Sequence, residues 1–391
     1  MGLAVAGALV AWTHGLRVLA ACRPDGPLFD HAVLLADMLH DPPYLFRGHN
    51  EHLPVMPRLV FQLEAWLTDG TTWVGVTAAM AALLGGVGAV TQAWKGRGYL
   101  VLALVLGAGL MRPTLAWALS WPTNVQYPLS LLGACVAAVG VRQQRMWVCS
   151  IGALFAGLSS AEGWLVLPLL ALFSAWQGHR LRTLGWLLLT ALVAAVVSAA
   201  DTAHTAIQLP SSAVELDQFT SFMASLVAFP WSLRLGLVVL GPLLVWVVWR
   251  AWRHRDELDV GLCFVGLFGA GFAALVVVGR WWLPHVAHRY ALGPTIALVG
   301  ALGAAMALRR GLVPSAQWAL VYLALVLAVE ASWLGPDVVD ECVSKTPDGA
   351  AFWAGDSDDG TRAHPGYDPA IALELRTHLW EWGLYRPAQP R

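Results

Sequence analysis

The chain has 391 residues, 58% of them hydrophobic and 13% charged, with a formal net charge of −1. Ordinary soluble domains carry roughly 25% charged residues, so this chain cannot cover itself with polar surface. The near-neutral balance also excludes the concentrated basic face that nucleic-acid phosphates require.

The apolar residues fall in runs of about 14–22, the length that crosses a hydrocarbon core of about 30 Å. Backbone groups in lipid must be paired internally, so these runs read as helices, and the ten-residue alternation of a membrane β-barrel is absent. In chain order the predicted spans are 2–22, 72–93, 99–118, 124–141, 147–159, 162–176, 183–200, 232–249, 259–279, 291–308 and 315–334. The first resembles a signal peptide but lacks a basic leading region. Its Ala20-Ala21-Cys22-Arg23 end is an imperfect cleavage site, so it is read as a span. The 21 tryptophans suit membrane interfaces.

The connections divide by charge. Alternate loops hold Lys95 and Arg97, Arg142 and Arg145, Arg180 and Arg182, Arg250, Arg253 and Arg255, then Arg309 and Arg310. Positive residues in short loops stay cytoplasmic, so the N-terminus is predicted inside and the C-terminus outside. The long segments 23–71, 201–231 and 335–391 then all lie outside, and each mixes apolar residues with Pro, Asp and His as surface helices do. Asp30 to Asp41 is one amphipathic candidate, and Ile371 to Tyr385 is another. The expected fold is an all-α integral membrane protein of about eleven transmembrane helices with amphipathic helices on its outer face. Residues 1–335 form one polytopic domain with outer loops 23–71, 201–231 and 280–290, and 336–391 form an outer tail with a short helix. Cys135, Cys149 and Cys263 lie inside apolar runs, as small buried thiols do. Cys22 and Cys342 fall on the same side, which leaves a disulfide open.

Polar residues near lipid depth are costly and therefore informative. Four sets are predicted at the outer face. The first is Asp30-His31 with His49-Asn50-Glu51-His52, followed by Pro54, Pro57 and Arg58. Next come Pro122-Thr123-Asn124-Val125-Gln126 at a span start and Ser159-Ser160-Ala161-Glu162-Gly163-Trp164 between two short runs. The last is His285-Val286-Ala287-His288-Arg289-Tyr290. Each has a plainer alternative. Asp30 suits a helix N-cap, and Glu51 with His49 and His52 reads either as a solvated loop or as an incomplete metal site. Asn124 and Gln126 can satisfy backbone at a helix start, and Arg289 beside Tyr290 can be an interfacial snorkelling pair.

The order of these sets resembles the polytopic bacterial membrane proteins related to the GT-C class glycosyltransferases, over roughly residues 1–335. The most specific piece is Asn50-Glu51-His52. The resemblance implies transfer of a sugar from a polyprenyl-phosphate donor to an envelope lipid, glycan or protein acceptor, at the outer face of the bacterial plasma membrane. It makes Asp30 the general base, although many relatives have two adjacent acids where this chain has Asp30-His31. A divalent metal, Mg or Mn, stays optional, and no other cofactor is implied.

The residues fit that chemistry independently. Inverting transfer needs a carboxylate at the acceptor oxygen, for which Asp30 and Glu51 are candidates. It also needs groups that take up charge on the departing phosphate, for which Arg289 with His288 are candidates; His49, Asn50, His52, Asn124, Gln126, Glu162 and Tyr290 complete the substrate-binding candidates. No nucleotide-binding glycine loop is present, which disfavours a sugar-nucleotide donor. Two other classes compete, a transporter or flippase of a lipid-linked intermediate and a non-catalytic envelope scaffold. Transporters place ionisable groups near the bilayer midplane, and here His14 and Arg17 are the exceptions to an outer-face distribution.

Overall fold

The computed structural model describes residues 2–23, 54–68, 72–91, 97–199, 210–228, 245–250, 259–281, 288–308, 311–312 and 314–345, with residues 253, 352, 370, 373, 374, 376 and 377. Asp30, His31, His49, Asn50, Glu51, His52 and the Asp30–Asp41 segment lie outside these.

The helices are α1 (Gly2–Ala21), α2 (Val55–Thr68), α3 (Trp73–Thr91), α4 (Arg97–Leu110), α5 (Pro113–Ser120), α6 (Gln126–Gln143), α7 (Met146–Gly157), α8 (Val166–Trp176), α9 (Arg180–Ala199), α10 (Ala213–Ala228), α11 (Val260–Arg280), α12 (Leu292–Met306) and α13 (Pro314–Lys345). A two-residue antiparallel pair, β1 (Ala307–Leu308) with β2 (Gly311–Leu312), turns the chain between α12 and α13. Among the described residues five helices are long and apolar enough to cross a membrane, or six if the bent α4–α5 pair counts as one. Apart from the β1–β2 pair the regular elements among the described residues are helices, as in an all-α membrane protein.

The closest helix pairs are α11 with α12, α1 with α13 and α6 with α7. Without a hydrophobic force between helices in lipid, such pairs rely on small residues that let backbones approach. A Cβ on Gly133 would come within 2.6 Å of the Ala156 nitrogen, and one on Gly293 within 2.8 Å of the Ala273 nitrogen. Leucines such as Leu181, Leu188 and Leu192 on α9 stay exposed, as expected of a lipid-facing surface.

The two ends of the bundle differ. One carries the Cys22–Cys342 disulfide, which joins the ends of α1 and α13 with Cα atoms 5.4 Å apart. Ser120 Oγ donates to the Cys22 carbonyl at 2.9 Å, and Arg23 donates to Thr72 Oγ1 at 3.0 Å beside the start of α3. The other end carries Arg142 in the last turn of α6, Arg145 just before α7 and Arg180 at the start of α9. Here Asp259 caps α11 by accepting from the Leu262 N–H at 3.0 Å and pairs with Arg142 at 3.2 Å.

The predicted span 232–249 lies outside the described residues up to 244, and two spans within them take a different form. The run 99–118 is broken into α4 and α5, bent by 68°. Pro113 has no N–H to continue α4 and forces the preceding Arg112 out of the helical region, to φ −55° and ψ 144°. The last span does not stop at 334. It continues through Pro336 to Lys345, held along α1 and closed by the disulfide. Beyond it, the described residues between 370 and 377 are helical, and Arg376 stacks over Phe352 at 4.6 Å.

Candidate functional site

Three helices that run from the disulfide end begin with a 3-10 turn: Pro122–Val125 before α6, Ala161–Leu165 before α8 and His288–Ala291 before α12. These turns fall in three of the polar sets singled out in the sequence, the last from His288 onward, and Tyr127 lies within electrostatic reach of residues from the second and third. Irregular backbone inside apolar surroundings persists only where protein groups satisfy it. Asn124 Nδ2 donates to the Ala118 carbonyl, closing α5 onto the first turn. The hydroxyls of Ser130 and Ser160 are 2.7 Å apart, Ser130 also reaches the Ala156 carbonyl at 3.2 Å, and Ser160 accepts from the Gly163 N–H. Asn124 thus satisfies backbone, as its plainer alternative had it, but at the end of α5 rather than at a helix start.

The α7–α8 hairpin sets the depth of Glu162. Helix α7 has 12 residues, about 18 Å at 1.5 Å per residue, so it falls short of a hydrocarbon core of about 30 Å. Its turn ends beside Ser130, one helical turn below Gln126 on α6. Gly157 and Gly163 make the return tight. A Cβ on Gly157 would strike the Trp164 ring, and one on Gly163 would strike the Ala156 carbonyl.

Tyr127, in the first turn of α6, lies within electrostatic reach of Glu162, Arg289, Tyr290 and Arg280. It stacks on Phe272 of α11 with ring centroids 5.5 Å apart. The Arg289 guanidinium lies 5.0 Å from the centre of the Tyr290 ring, and its Nη2 donates to the Tyr290 hydroxyl at 3.4 Å. Glu162, Gln126 and Arg289 are half-buried, and Tyr290 is buried. His288 opens the same turn as Arg289. One carboxylate, two guanidiniums and a second phenol thus lie within electrostatic reach of Tyr127, a set that can hold an anion and orient a hydroxyl.

Deeper along the same helices the lining becomes apolar. A cavity of about 30 Å³ lies among Val87, Leu106, Leu131, Cys135, Leu262 and Ile296. Leu131 is one turn below Tyr127 on α6, and Ile296 follows Tyr290 by under two turns on α12.

Helix α2 docks on this region from the side: the Met56 N–H donates to the Leu158 carbonyl at 2.9 Å, just before the Ser159–Glu162 turn. Its buried face carries Arg58 and Glu64, and Glu64 Oε2 accepts from the Gly75 N–H at 2.8 Å in the first turn of α3. Sequence reasoning missed Tyr127, Arg280 and Glu64. Arg280 had a signal, a cation closing an apolar run on the cation-poor side; Glu64 had none beyond its charge. Among the described residues no group of three His, Cys, Asp or Glu side chains is placed to hold a metal.

Comparisons with protein-family models, with curated proteins and with solved structures gave no match to this chain.

Proposed function

We propose that the chain is an integral membrane glycosyltransferase of GT-C-like architecture with about eleven spans, which transfers a sugar from a polyprenyl-phosphate donor to an envelope lipid, glycan or protein acceptor. The observation that carries this reading is the gathering of Glu162, Arg280, Arg289, Tyr127 and Tyr290 inside an apolar bundle, above an apolar cavity. Cationic groups at that depth suit a phosphate whose tail stays in lipid, since each CH₂ withdrawn from it costs about 0.8 kcal/mol.

In the proposed step a carboxylate, Asp30 by resemblance or else Glu51, takes the proton of the acceptor hydroxyl. The acceptor oxygen forms a bond to the anomeric carbon, and the bond from that carbon to the phosphate oxygen breaks. The electron pair leaves on the polyprenyl phosphate, where Arg289 and Arg280 stabilise it. The disulfide supports placing its end of the bundle in an oxidising compartment, outside a bacterial plasma membrane, and the arginines at the opposite end agree with that orientation.

The test uses the protein in lipid nanodiscs with a panel of polyprenyl-phosphate-linked sugars. Asp30→Asn is expected to lower turnover by roughly 100-fold or more while polyprenyl-phosphate binding survives. Arg289→Ala is expected to weaken that binding by about tenfold. Full turnover in Asp30→Asn moves the base to Glu51, and neither turnover nor binding with any donor rejects the reading.

A flippase of a lipid-linked intermediate is the second reading. One observation favours it: Arg112 and Glu330 pair inside the bundle at a broken helix, a transporter-like arrangement. Passage of a fluorescent polyprenyl phosphate across proteoliposomes without sugar transfer would select it.

A further inference from the structure

Arg112 occupies the extended corner between α4 and α5, and its Nε donates to Glu330 Oε1 at 2.7 Å. Both side chains are buried, at 10% and 1% exposure. Glu330 lies near the middle of α13, 12 residues and about 18 Å before Cys342. The same helix holds the far end of α5, because Cys342 is bonded to Cys22 and the Cys22 carbonyl accepts from Ser120 Oγ. Asn124 adds a third tie through the Ala118 carbonyl. Every residue of α5 is buried. The helix is therefore a strut fixed to α13 at both ends, by an ion pair at one and a disulfide-linked hydrogen bond at the other. It packs against the His288–Ala291 turn, which carries Arg289.

We infer that Arg112 and Glu330 are positioning residues: their pair sets the direction of α5 and, through α5, the place of Arg289 in the anion site. The functional half of this inference rests on the role proposed for Arg289, and the placement half does not. A buried ion pair is poor evidence of stability, since a hydrophobic pair of similar volume often replaces it without loss. What such a replacement removes is direction. Pro113 has no N–H to donate back into α4, and a charged bond of fixed geometry defines where α5 starts.

Two measurements on the full-length protein in nanodiscs test the two halves. The first is affinity for decaprenyl phosphate in a double-mutant cycle with Arg289→Ala. The apolar pair Arg112→Met with Glu330→Leu keeps the bundle folded and is expected to weaken binding by about tenfold in the native background, with no further loss beside Arg289→Ala. Additive losses overturn the inference. The exchanged pair Arg112→Glu with Glu330→Arg is expected to recover most of the affinity. The second measurement is the rate at which a maleimide labels Tyr290→Cys. It is expected to rise about tenfold with the apolar pair and to return toward the native rate with the exchanged pair, because a displaced α5 uncovers the turn. If the native protein binds no decaprenyl phosphate, the anion-site reading fails while labelling still decides placement. Labelling unchanged by the apolar pair overturns the inference.

Discussion

The same helices close differently at the two ends of the bundle. At the arginine end two described connections are short and exposed: Gln144 ends α6 with φ 56° and Gly178 follows α8 with φ 78°, beside the exposed Arg145 and Arg180. At the disulfide end three helices begin with 3-10 turns set inside the packing, carrying Asn124, Glu162, Arg289 and Tyr290. A left-handed turn in water needs only a residue that tolerates it. A turn surrounded by apolar side chains must have its backbone satisfied by protein, which Ser130, Ser160 and Asn124 do here. Polar residues at the disulfide end therefore hold the backbone and face the site together, while at the arginine end Asp259 caps α11 and pairs with Arg142 without a site to face.

Two of the ion pairs among the described residues contrast interior with end. Arg112–Glu330 is 10% and 1% exposed, whereas Arg142–Asp259 is 29% and 8% exposed. Glu330→Leu alone leaves a buried guanidinium without its anion and is expected to cost about 3–5 kcal/mol. Arg142→Met is expected to cost about 1 kcal/mol or less, because water reaches that pair and Asp259 keeps its cap on α11. Denaturation in mixed detergent measures both, and equal losses would break the contrast.

The glycines sharpen it at a smaller scale. A Cβ at Gly163 meets the Ala156 carbonyl, so Gly163→Ala must separate the turn from α7 and is expected to cost about 3 kcal/mol and to displace Glu162. A Cβ at Gly178 meets nothing within 4 Å, and only its positive φ is at issue. Gly178→Ala is expected to cost about 1 kcal/mol. Activity should fall with the first change and not with the second. A Gly163→Ala protein of native stability would remove the argument that this turn is sterically fixed.

Hydropathy marked the long apolar helices among the described residues because lipid imposes one rule on every span, and the sets 122–126, 159–164 and 285–290 stood out because polar residues at span starts are expensive. The pairing of Cys22 with Cys342 was open from their common side alone. What stayed hidden depends on contacts between distant segments. Arg112 and Glu330 are 218 residues apart, and each is a single charge in an apolar run, so neither names the other. Pro113 was a visible warning that the run 99–118 would break, but a window average conceals it. Pro336 gave the opposite lesson, since packing along α1 carries α13 past a residue that ends most helices. Glu64 caps α3 from a neighbouring helix, a use that no local pattern encodes.

The smallest expected effect lies at the disulfide end, on α10, which packs there through Phe219 against Trp281. Its start is a reciprocal cap: Ser212 Oγ accepts from the Glu215 N–H at 3.2 Å, and Glu215 Oε2 accepts from the Ser211 N–H at 2.6 Å and its hydroxyl at 2.8 Å. The bond from the Ser211 N–H, then that from its hydroxyl, holds the Glu215 carboxyl below its ordinary value of 4.5. A carboxyl lowered on folding stabilises the folded helix start above the unfolded pKa, and that contribution disappears as pH falls through the lowered folded pKa. Protection of the Ser211 amide against hydrogen exchange, corrected for the intrinsic rate, should therefore be constant above about pH 5 and decline in acid below 4.5. Glu215→Gln should abolish the pH dependence and leave weaker, constant protection, because the amide oxygen still accepts but carries no charge. The carboxyl is fully exposed, so the loss stays confined to the first turn, and the Phe219–Trp281 contact should persist throughout. Acid release of all of α10 at once would instead make the cap a determinant of docking, and the helix would belong with the fixed elements of that end.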